Sequence, residues 1–313
     1  MARRYSNLNP EHRPNGFKAI FRWMVLDRLA GKRRRKPLGP PAPWVRPNLS
    51  CLGSGDRVPR LTWIGHASFL ASFETRHFLF DPVFSDRIAR VVPRHGSPGL
   101  RPGQLPPLVA ALVSHCHYDH LDKASIRALP TNVPVVVPLG VDSLMRGWDR
   151  ERVIPLNWWE SVEFDDARVT LVPSRHWSRR GLLDTNRTLW GGYVVEMDRV
   201  AIYHAGDSAW FDGFAAIGKR FPGLLAALLP IGGYDPPWFM ENQHMNPEQA
   251  GEAFLALGAR HLVPMHWGAF RLTDEPFMEP IERLQRWWAT RNPAGEQLHC
   301  PSVGETIALE DAS

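Results

Sequence analysis

The sequence predicts an α/β fold in which two strand-rich halves form a sandwich of two β-sheets flanked by helices. Short apolar runs rich in β-branched residues recur in both halves of the chain, and helix patterns separate them. The chain has 313 residues, enough to bury the core of one large domain or two small ones. Its 29 prolines indicate many loops and short elements rather than long helices.

The period of the apolar residues places these elements in order along the chain. Strands are expected at residues 61–64, 68–73, 77–80, 108–114, 133–138, 162–164, 168–173, 192–197, 200–204 and 261–265. Helices are expected at residues 17–30, 123–129 and 248–257. Residues 81–107 are expected to be rich in loops. Strand runs resume after a central helix–strand alternation, and two strand-rich halves are compatible with a two-sheet sandwich flanked by helices.

The N-terminal region differs from the rest of the chain in charge. Residues 1–60 contain 14 Lys and Arg but only 3 Asp and Glu, whereas the whole chain has a formal net charge of +5. A basic run at residues 32–36 leads into the proline-rich residues 37–43, which cannot continue a helix. We therefore predict a basic N-terminal arm, residues 1–43, followed by a folded domain, residues 44–313.

The N-terminal arm has three interpretations: a solvated tail, a nucleic-acid patch or an anchor to anionic lipid. Its basic run lies beside four apolar residues on one face of the predicted helix, Phe17, Ile20, Phe21 and Met24. Positive charge beside an apolar face is typical of peripheral membrane binding. No base-stacking module accompanies the run, so nucleic acid is not expected as a partner. We favour contact with an anionic membrane surface over a solvated tail.

Segment lengths and cysteine usage restrict the expected localisation. No apolar run approaches the roughly 18 residues that span a bilayer, and no apolar region follows Arg3 and Arg4 as in a secretory signal. The three cysteines are scattered and odd in number, which favours a reducing compartment over a disulfide framework. We expect a cytoplasmic protein, with peripheral contact at the inner face of the membrane left open.

Residues 115–120 contain four side chains of the types that bind divalent metals: His115, His117, Asp119 and His120. They follow the apolar run 108–113, so they lie where a buried strand ends and a loop begins. His115 and His117 can point the same way, whereas the adjacent Asp119 and His120 must diverge. This divergence suits a pair of metals better than a single ion.

Two metals need more than four ligands, and three further candidates follow apolar runs in the same way. These are His176, Asp207 and His266. Gly206, which precedes Asp207, allows a close backbone approach at that point. An aspartate between two metals is a natural bridge because each of its two oxygens can bind one ion.

The order of these residues resembles the metallo-β-lactamase superfamily of metal-dependent hydrolases. Five other segments are similar to its N-acylphosphatidylethanolamine-hydrolysing phospholipase D branch: TWIGHASF at 62–69, DPVFS at 81–85, LWGG at 189–192, NQHMNPE at 242–248 and HWGAF at 266–270. The resemblance covers roughly residues 60–275, and bacterial members of the branch also have a basic N-terminal arm. It implies that residues 44–313 form an αββα sandwich, two mixed β-sheets flanked by helices.

The resemblance also implies a role for each candidate residue. It places one metal on His115, His117 and His176 and the second on Asp119, His120 and His266, with Asp207 bridging both. Asp81 is expected to support the ligands, and His66 either lines the site or makes a structural hydrogen bond. The ions are expected to be Zn²⁺, with Mn²⁺ and iron as alternatives that the same ligands suit.

The implied activity is that of a dinuclear, metal-dependent phosphodiesterase. A hydroxide bridging the two metals would attack the phosphorus of N-acylphosphatidylethanolamine-like lipids, releasing phosphatidic acid and an N-acylethanolamine. Asp119, Asp207 and His244 are the expected catalytic residues. His244 would donate a proton or contact the substrate, with capping of the helix after Pro247 as its alternative role.

Two other functions stay open at this point. One is a cytosolic lactonase or sugar-phosphate hydrolase of the ascorbate-6-phosphate lactonase type. The other is a catalytically silent, lipid-binding relative, although the complete ligand set argues against it. The sequence also leaves homo-oligomerisation open.

Overall fold

A computed structural model describes residues 4–33, 39–52, 55, 57–291, 293 and 295–310. Its strands are β1 (Arg60–Gly65), β2 (Ser68–Phe73), β3 (Arg76–Phe80), β4 (Arg87–Ile88), β5 (Val92–Pro93), β6 (Ala110–Leu112), β7 (Val135–Pro138), β8 (Val153–Leu156), β9 (Ser161–Phe164), β10 (Ala167–Val172), β11 (Gly192–Met197), β12 (Val200–His204), β13 (Ala226–Pro230), β14 (His261–Met265), β15 (Gln297–Leu298) and β16 (Thr306–Ala308). Its α-helices are α1 (Phe17–Phe21), α2 (Asp27–Leu29), α3 (Lys123–Arg127), α4 (Val141–Leu144), α5 (Gly213–Arg220), α6 (Pro237–Met240), α7 (Pro247–Leu257) and α8 (Glu279–Arg291).

Fourteen of the described strands form two mixed seven-stranded sheets, and β4 and β5 pair separately. The first has the order β16-β1-β2-β3-β6-β7-β8, and the second has the order β15-β14-β13-β12-β11-β10-β9. In the first sheet, β1, β2 and β3 pair antiparallel, and β3, β6, β7 and β8 pair parallel. The second sheet has the same division, antiparallel from β9 to β12 and parallel from β12 to β15. The predicted sandwich of two mixed sheets with flanking helices is confirmed.

Period-two alternation in the first sheet separates two hydrophobic cores. Phe69 and Phe80 belong to the large core that also contains buried residues of the second sheet. Leu70 and Leu79, one position away in each strand, pack on the other face with Ile126 of α3. A strand whose two faces are both buried needs apolar residues at successive positions, which explains the continuous apolar runs in the sequence.

Most predicted elements are present, with ends that differ by a few residues. The expected strands at 68–73, 192–197, 200–204 and 261–265 match observed strands residue for residue, whereas the strand expected at 108–114 is limited to Ala110–Leu112. Six of the described strands were not predicted: β4, β5, β8, β13, β15 and β16. One of them, β13, lies between β12 and β14 in the parallel part of the second sheet. Its sequence, AALLP, is too short for periodicity to separate a strand from a helical turn.

The described part of the N-terminal arm lies against the domain. A π-helical turn, Arg22–Leu26, joins α1 and α2 into one helical segment, which agrees with the helix predicted at residues 17–30. Trp23 stacks on Phe239 at a centroid distance of 4.9 Å, and its indole N–H donates to Asp274. The Arg33 guanidinium binds the same carboxylate. Arg34, Arg35 and Lys36 of the predicted basic run lie outside the described residues, and the division of the chain at residue 43 stays a prediction.

Strand ends from both sheets meet at one edge of the sandwich. β3 and β6 are parallel neighbours in the first sheet, and β12, β13 and β14 are parallel neighbours in the second. Their carboxyl ends therefore point to the same side, where loops can present polar side chains close together. Every metal ligand predicted from the sequence lies in a loop or turn at this edge.

Candidate metal centre

The structure brings all seven predicted ligands together. They fall into groups whose ligand atoms lie within 4.8 Å of one another. The three-histidine group consists of His115, His117 and His176, and it lies beside Asp207. The second group consists of Asp119, His120, His266 and His66. We call it the carboxylate-rich group because His120 also contacts Asp207 and Asp81. The roles of these residues as metal ligands stay a prediction, but their positions are those that two adjacent ions require.

Asp207 lies between the two groups. Its Oδ2 is 3.2 Å from His120 Nε2, and its Oδ1 is 3.2 Å from His266 Nε2. The same carboxylate is 3.7 Å from the Nε2 atoms of His115 and His176. One carboxylate therefore faces ligand atoms of both groups, the arrangement that a bridging aspartate needs.

For Asp207 to lie between the two groups, the backbone just before it must approach the first sheet closely. Gly206 has a φ of +60°, and a Cβ added to it would lie 2.7 Å from both Gly191 O and Ser114 Cβ. Any larger residue would clash with the loop that precedes His115. Glycine at position 206 thus brings the end of β12 against the end of β6.

Several buried polar atoms in the centre have no hydrogen-bond partner in the described part of the chain. They include His117 Nε2, His120 Nε2, His266 Nε2 and Asp207 Oδ1. Buried polar atoms are normally paired, so a cluster without partners is evidence that another group belongs there. Imidazole nitrogens and carboxylate oxygens are the donor set that Zn²⁺ and related ions prefer. The residues fit a dinuclear metal site.

The two groups differ in protonation. Burial lowers the pKa of His117 to about 4 and of His176 to about 3, and it holds the pKa of His115 well below its usual value. Burial also acts on His266, but Asp207 and Asp119 outweigh it and raise the pKa of that residue to about 9. The three-histidine group is therefore neutral near pH 7, the form that binds metal, whereas His266 must first release a proton.

A carboxylate and a backbone carbonyl orient two of the ligand rings by binding the Nδ1 atom, opposite the nitrogen that faces the candidate metal site. His120 Nδ1 donates to Asp81 Oδ2 at 2.7 Å, and Asp81 is itself fixed by the backbone N–H and hydroxyl of Ser114. His176 Nδ1 donates to the Gln243 carbonyl at 2.9 Å. Such contacts leave the opposite ring nitrogen free to face a metal and fix the orientation of the ring. Asp81 thus lies where the sequence predicts a supporting residue.

His66 makes a hydrogen bond inside the centre. Its Nε2 donates to Asp119 Oδ2 at 3.0 Å, and its backbone carbonyl accepts from the N–H of His266. His66, Asp81 and His266 all have positive φ, at 57°, 40° and 63°. Non-glycine residues rarely adopt this conformation, and such strain concentrates at functional sites.

His244 lies beside both groups. Its ring centroid is 5.3 Å from that of His176 and 5.2 Å from that of His266, and its Nδ1 has no hydrogen-bond partner among the residues that the structure describes. Burial lowers its pKa to about 3, so the ring is neutral near pH 7. The alternative role of capping α7 is wrong, because Asn246 caps this helix by accepting from the Gln249 N–H.

Three supporting residues were not predicted from the sequence: Asn7, Ser114 and Arg180. Ser114 has a local signal, since it lies between the apolar run and His115. Arg180 donates to the carbonyls of Cys116 and Leu121 at 2.8 and 2.7 Å, and so holds the two ends of the ligand loop together. Asn7 and Arg180 are far from that loop in sequence, and no local pattern could have indicated them.

Comparisons with known proteins show the family of the chain. Residues 76–267 match the β-lactamase superfamily domain. An uncharacterized protein of Mycobacterium tuberculosis is 35% identical over 314 residues, covering 97% of this chain and 82% of that protein. The N-acyl-phosphatidylethanolamine-hydrolyzing phospholipase D 1 of Caenorhabditis elegans is 36% identical over 242 residues, covering 72% of this chain and 68% of that protein.

Solved structures share the fold at lower identity. A metallo hydrolase of Ignicoccus hospitalis has a TM-score of 0.59 and 23% identity, with 81% of this chain and 99% of that chain covered. The chain belongs to the metallo-β-lactamase superfamily, in the branch of the N-acylphosphatidylethanolamine-hydrolysing phospholipases D. It is a metal-dependent hydrolase whose histidine and aspartate clusters suit a dinuclear metal site.

Proposed function

We propose that this protein is a phospholipase D-type phosphodiesterase that cleaves N-acylphosphatidylethanolamine-like lipids into phosphatidic acid and an N-acylethanolamine. The observation that supports it most directly is the meeting of two ligand groups at Asp207 in a chain similar to the nematode phospholipase. Paired metals are suited to phosphodiester hydrolysis because negative charge develops on several phosphoryl oxygens at once.

The chain's own residues divide the work of the reaction. Two Zn²⁺ ions held by the two groups would supply hydroxide at neutral pH and balance the developing charge. Asp207 and Asp119 would provide the negative charge that holds the cations, and His66 and Asp81 keep Asp119 and His120 in position. His244 is neutral, and none of the described residues bonds its Nδ1, so we assign it to a hydrogen bond with the substrate phosphate or the leaving oxygen.

The substrate would reach this centre from an anionic membrane surface. The helical segment of the N-terminal arm presents exposed apolar residues, with Phe17 79% and Leu29 81% exposed, next to Lys18, Arg22 and Arg28. Apolar side chains beside positive charge bind anionic lipid more strongly than either does alone. In the described part of the chain, no helix is long and apolar enough to cross a bilayer. We therefore propose peripheral contact at the inner face of the membrane.

An activity panel tests this function. Purified protein with measured metal content would be offered vesicles containing N-acylphosphatidylethanolamine and, separately, soluble lactones, and release of phosphatidic acid or of ring-opened product would be quantified. We expect lipid cleavage by the wild type and a loss on the order of 10⁴-fold in Asp207→Ala, because the shared ligand acts as part of a unit. A metal-loaded protein that leaves the lipids intact and opens lactones would overturn the proposal in favour of a lactonase.

A further inference from the structure

Asn7 of the N-terminal arm makes three hydrogen bonds in a buried position. Its side chain is 7% exposed. Its carboxamide Oδ1 accepts from the backbone N–H of His176 at 3.1 Å, and its Nδ2 donates to the carbonyl of the same residue at 3.0 Å. A third bond joins Nδ2 to the His12 carbonyl at 2.8 Å. The carboxamide thus satisfies both backbone groups of His176, as an adjacent strand would.

His176 is held from its other side by an independent contact. The bond from its Nδ1 to the Gln243 carbonyl fixes the ring, and its Nε2 lies 3.7 Å from Asp207 Oδ2. Asn7 fixes the backbone, and Gln243 fixes the ring. Together these contacts fix both the backbone and the ring of His176, with its Nε2 on the side of Asp207.

The neighbours of Asn7 reinforce this attachment. The backbone N–H of Tyr5 donates to the carbonyl of Asn186, and Asn186 is in turn bonded to Ser178 through both its backbone and its side chain. The chain just before Asn7 is therefore connected to the loop that follows His176. This loop also contains Arg180, which holds the ends of the ligand loop together.

We propose that Asn7 is a positioning residue for the metal ligand His176, so that the N-terminal arm is a structural part of the metal centre. Buried partners of metal ligands typically affect metal affinity by about 10- to 100-fold. The proposal does not depend on the lipid substrate, because it concerns metal binding alone. It also goes beyond the arm's expected role as a membrane contact.

Metal affinity in the absence of lipid tests the proposal. Zn²⁺ binding by the wild type and by Asn7→Ala would be measured by competition with a chromophoric chelator, and the melting temperature of each apoprotein would be measured separately. We expect one of two bound equivalents to weaken by about 10- to 100-fold in Asn7→Ala, with the other nearly unchanged. The visible spectrum of the Co²⁺-substituted variant should change for that same equivalent.

Two further variants make the result decisive. Asn9→Ala is the matched control, because Asn9 is exposed in the same segment and its side chain accepts a hydrogen bond from the backbone N–H of Glu11 rather than from the metal centre. It should bind both equivalents as the wild type does. If Asn7→Ala does not fold, Asn7→Ser, which keeps one hydrogen-bonding oxygen, takes its place. Wild-type affinity and Co²⁺ spectrum in the folded variant, with only a lower melting temperature, would show that Asn7 is merely structural and overturn the proposal.

Discussion

The two ligand groups meet at one carboxylate, yet the protein prepares them for metal in different ways. Burial keeps the imidazoles of the three-histidine group neutral, and no proton has to leave before they bind a cation. In the carboxylate-rich group, burial is outweighed by Asp207, Asp119 and Asp81, so the pKa of His120 lies well above its usual value. A carboxylate close to a ligand histidine therefore increases the attraction for a cation and also retains a competing proton.

The largest expected effect of this difference is on pH dependence. Below about pH 9 His266 is protonated, and a metal ion must displace this proton to bind. As the pH falls below that value, the metal affinity of the carboxylate-rich group should decrease by about tenfold per pH unit for each proton displaced. Binding by the three-histidine group should change little between pH 6 and pH 8, because the pKa values of His117 and His176 lie near 4 and 3. Zn²⁺ titrations at several pH values would measure both slopes.

Two single-site variants separate the groups for this measurement. His176→Ala leaves the carboxylate-rich group intact, and His266→Ala leaves the three-histidine group intact. The first should show the steep slope and the second the shallow one. Equal slopes in the two variants would mean that the groups do not differ in the way the structure indicates.

A smaller effect is expected when the ring of His120 loses its support. Asp81→Asn removes the charge that orients this ring, and we expect metal affinity at the carboxylate-rich group to fall by about 10- to 100-fold. The three-histidine group should be nearly unaffected, which competition titration would show. Asp86→Asn is the matched control, because Asp86 is exposed and only five residues away. A uniform loss at both groups would argue that Asp81 supports the fold of the loop rather than one ligand.

The smallest effect should come from Arg180, and it should not distinguish the groups. Its guanidinium binds the carbonyls of Cys116 and Leu121, and the ligand loop between them supplies residues to both groups. Arg180→Lys keeps the charge but cannot reach two carbonyls with the same geometry, so we expect both equivalents to weaken by less than about tenfold. Arg127→Lys, at an exposed pair with Asp149, is the control. If only one of the two metal equivalents bound more weakly, the interpretation that Arg180 supports the whole ligand loop would be contradicted.

Asn7 changes how the N-terminal arm can be tested for membrane contact. Deleting residues 1–40 would remove the exposed apolar helix and also the hydrogen bonds to His176. Loss of lipid cleavage in such a truncation would therefore have two explanations. Substituting exposed residues such as Phe17 and Leu29 would test membrane contact while leaving the contacts of Asn7 in place.

Local pattern was sufficient for ten of the strands and for the first four candidate ligands. His115, His117, Asp119 and His120 are close in sequence, and a buried run before them indicates a strand end, so their proximity follows from chain connectivity. His176, Asp207 and His266 each follow a strand, and the family resemblance supplied their assignment to one site. β13 could not be recognised, because its five residues become a strand only through pairing with β12 and β14.

The sequence by itself predicted the fold class, the candidate ligand set and the family, because the strand periodicity, the cluster at residues 115–120 and the family motifs are each local features of the chain. The tertiary structure alone decided how the ligands are supported and protonated. The contact of Asn7 with His176 spans 169 positions in the chain, and the raised pKa of His266 depends on Asp207 and Asp119, which come from other loops. Hydrogen bonds and electrostatic interactions act through space, so residues far apart in sequence can control a ligand without leaving a local pattern.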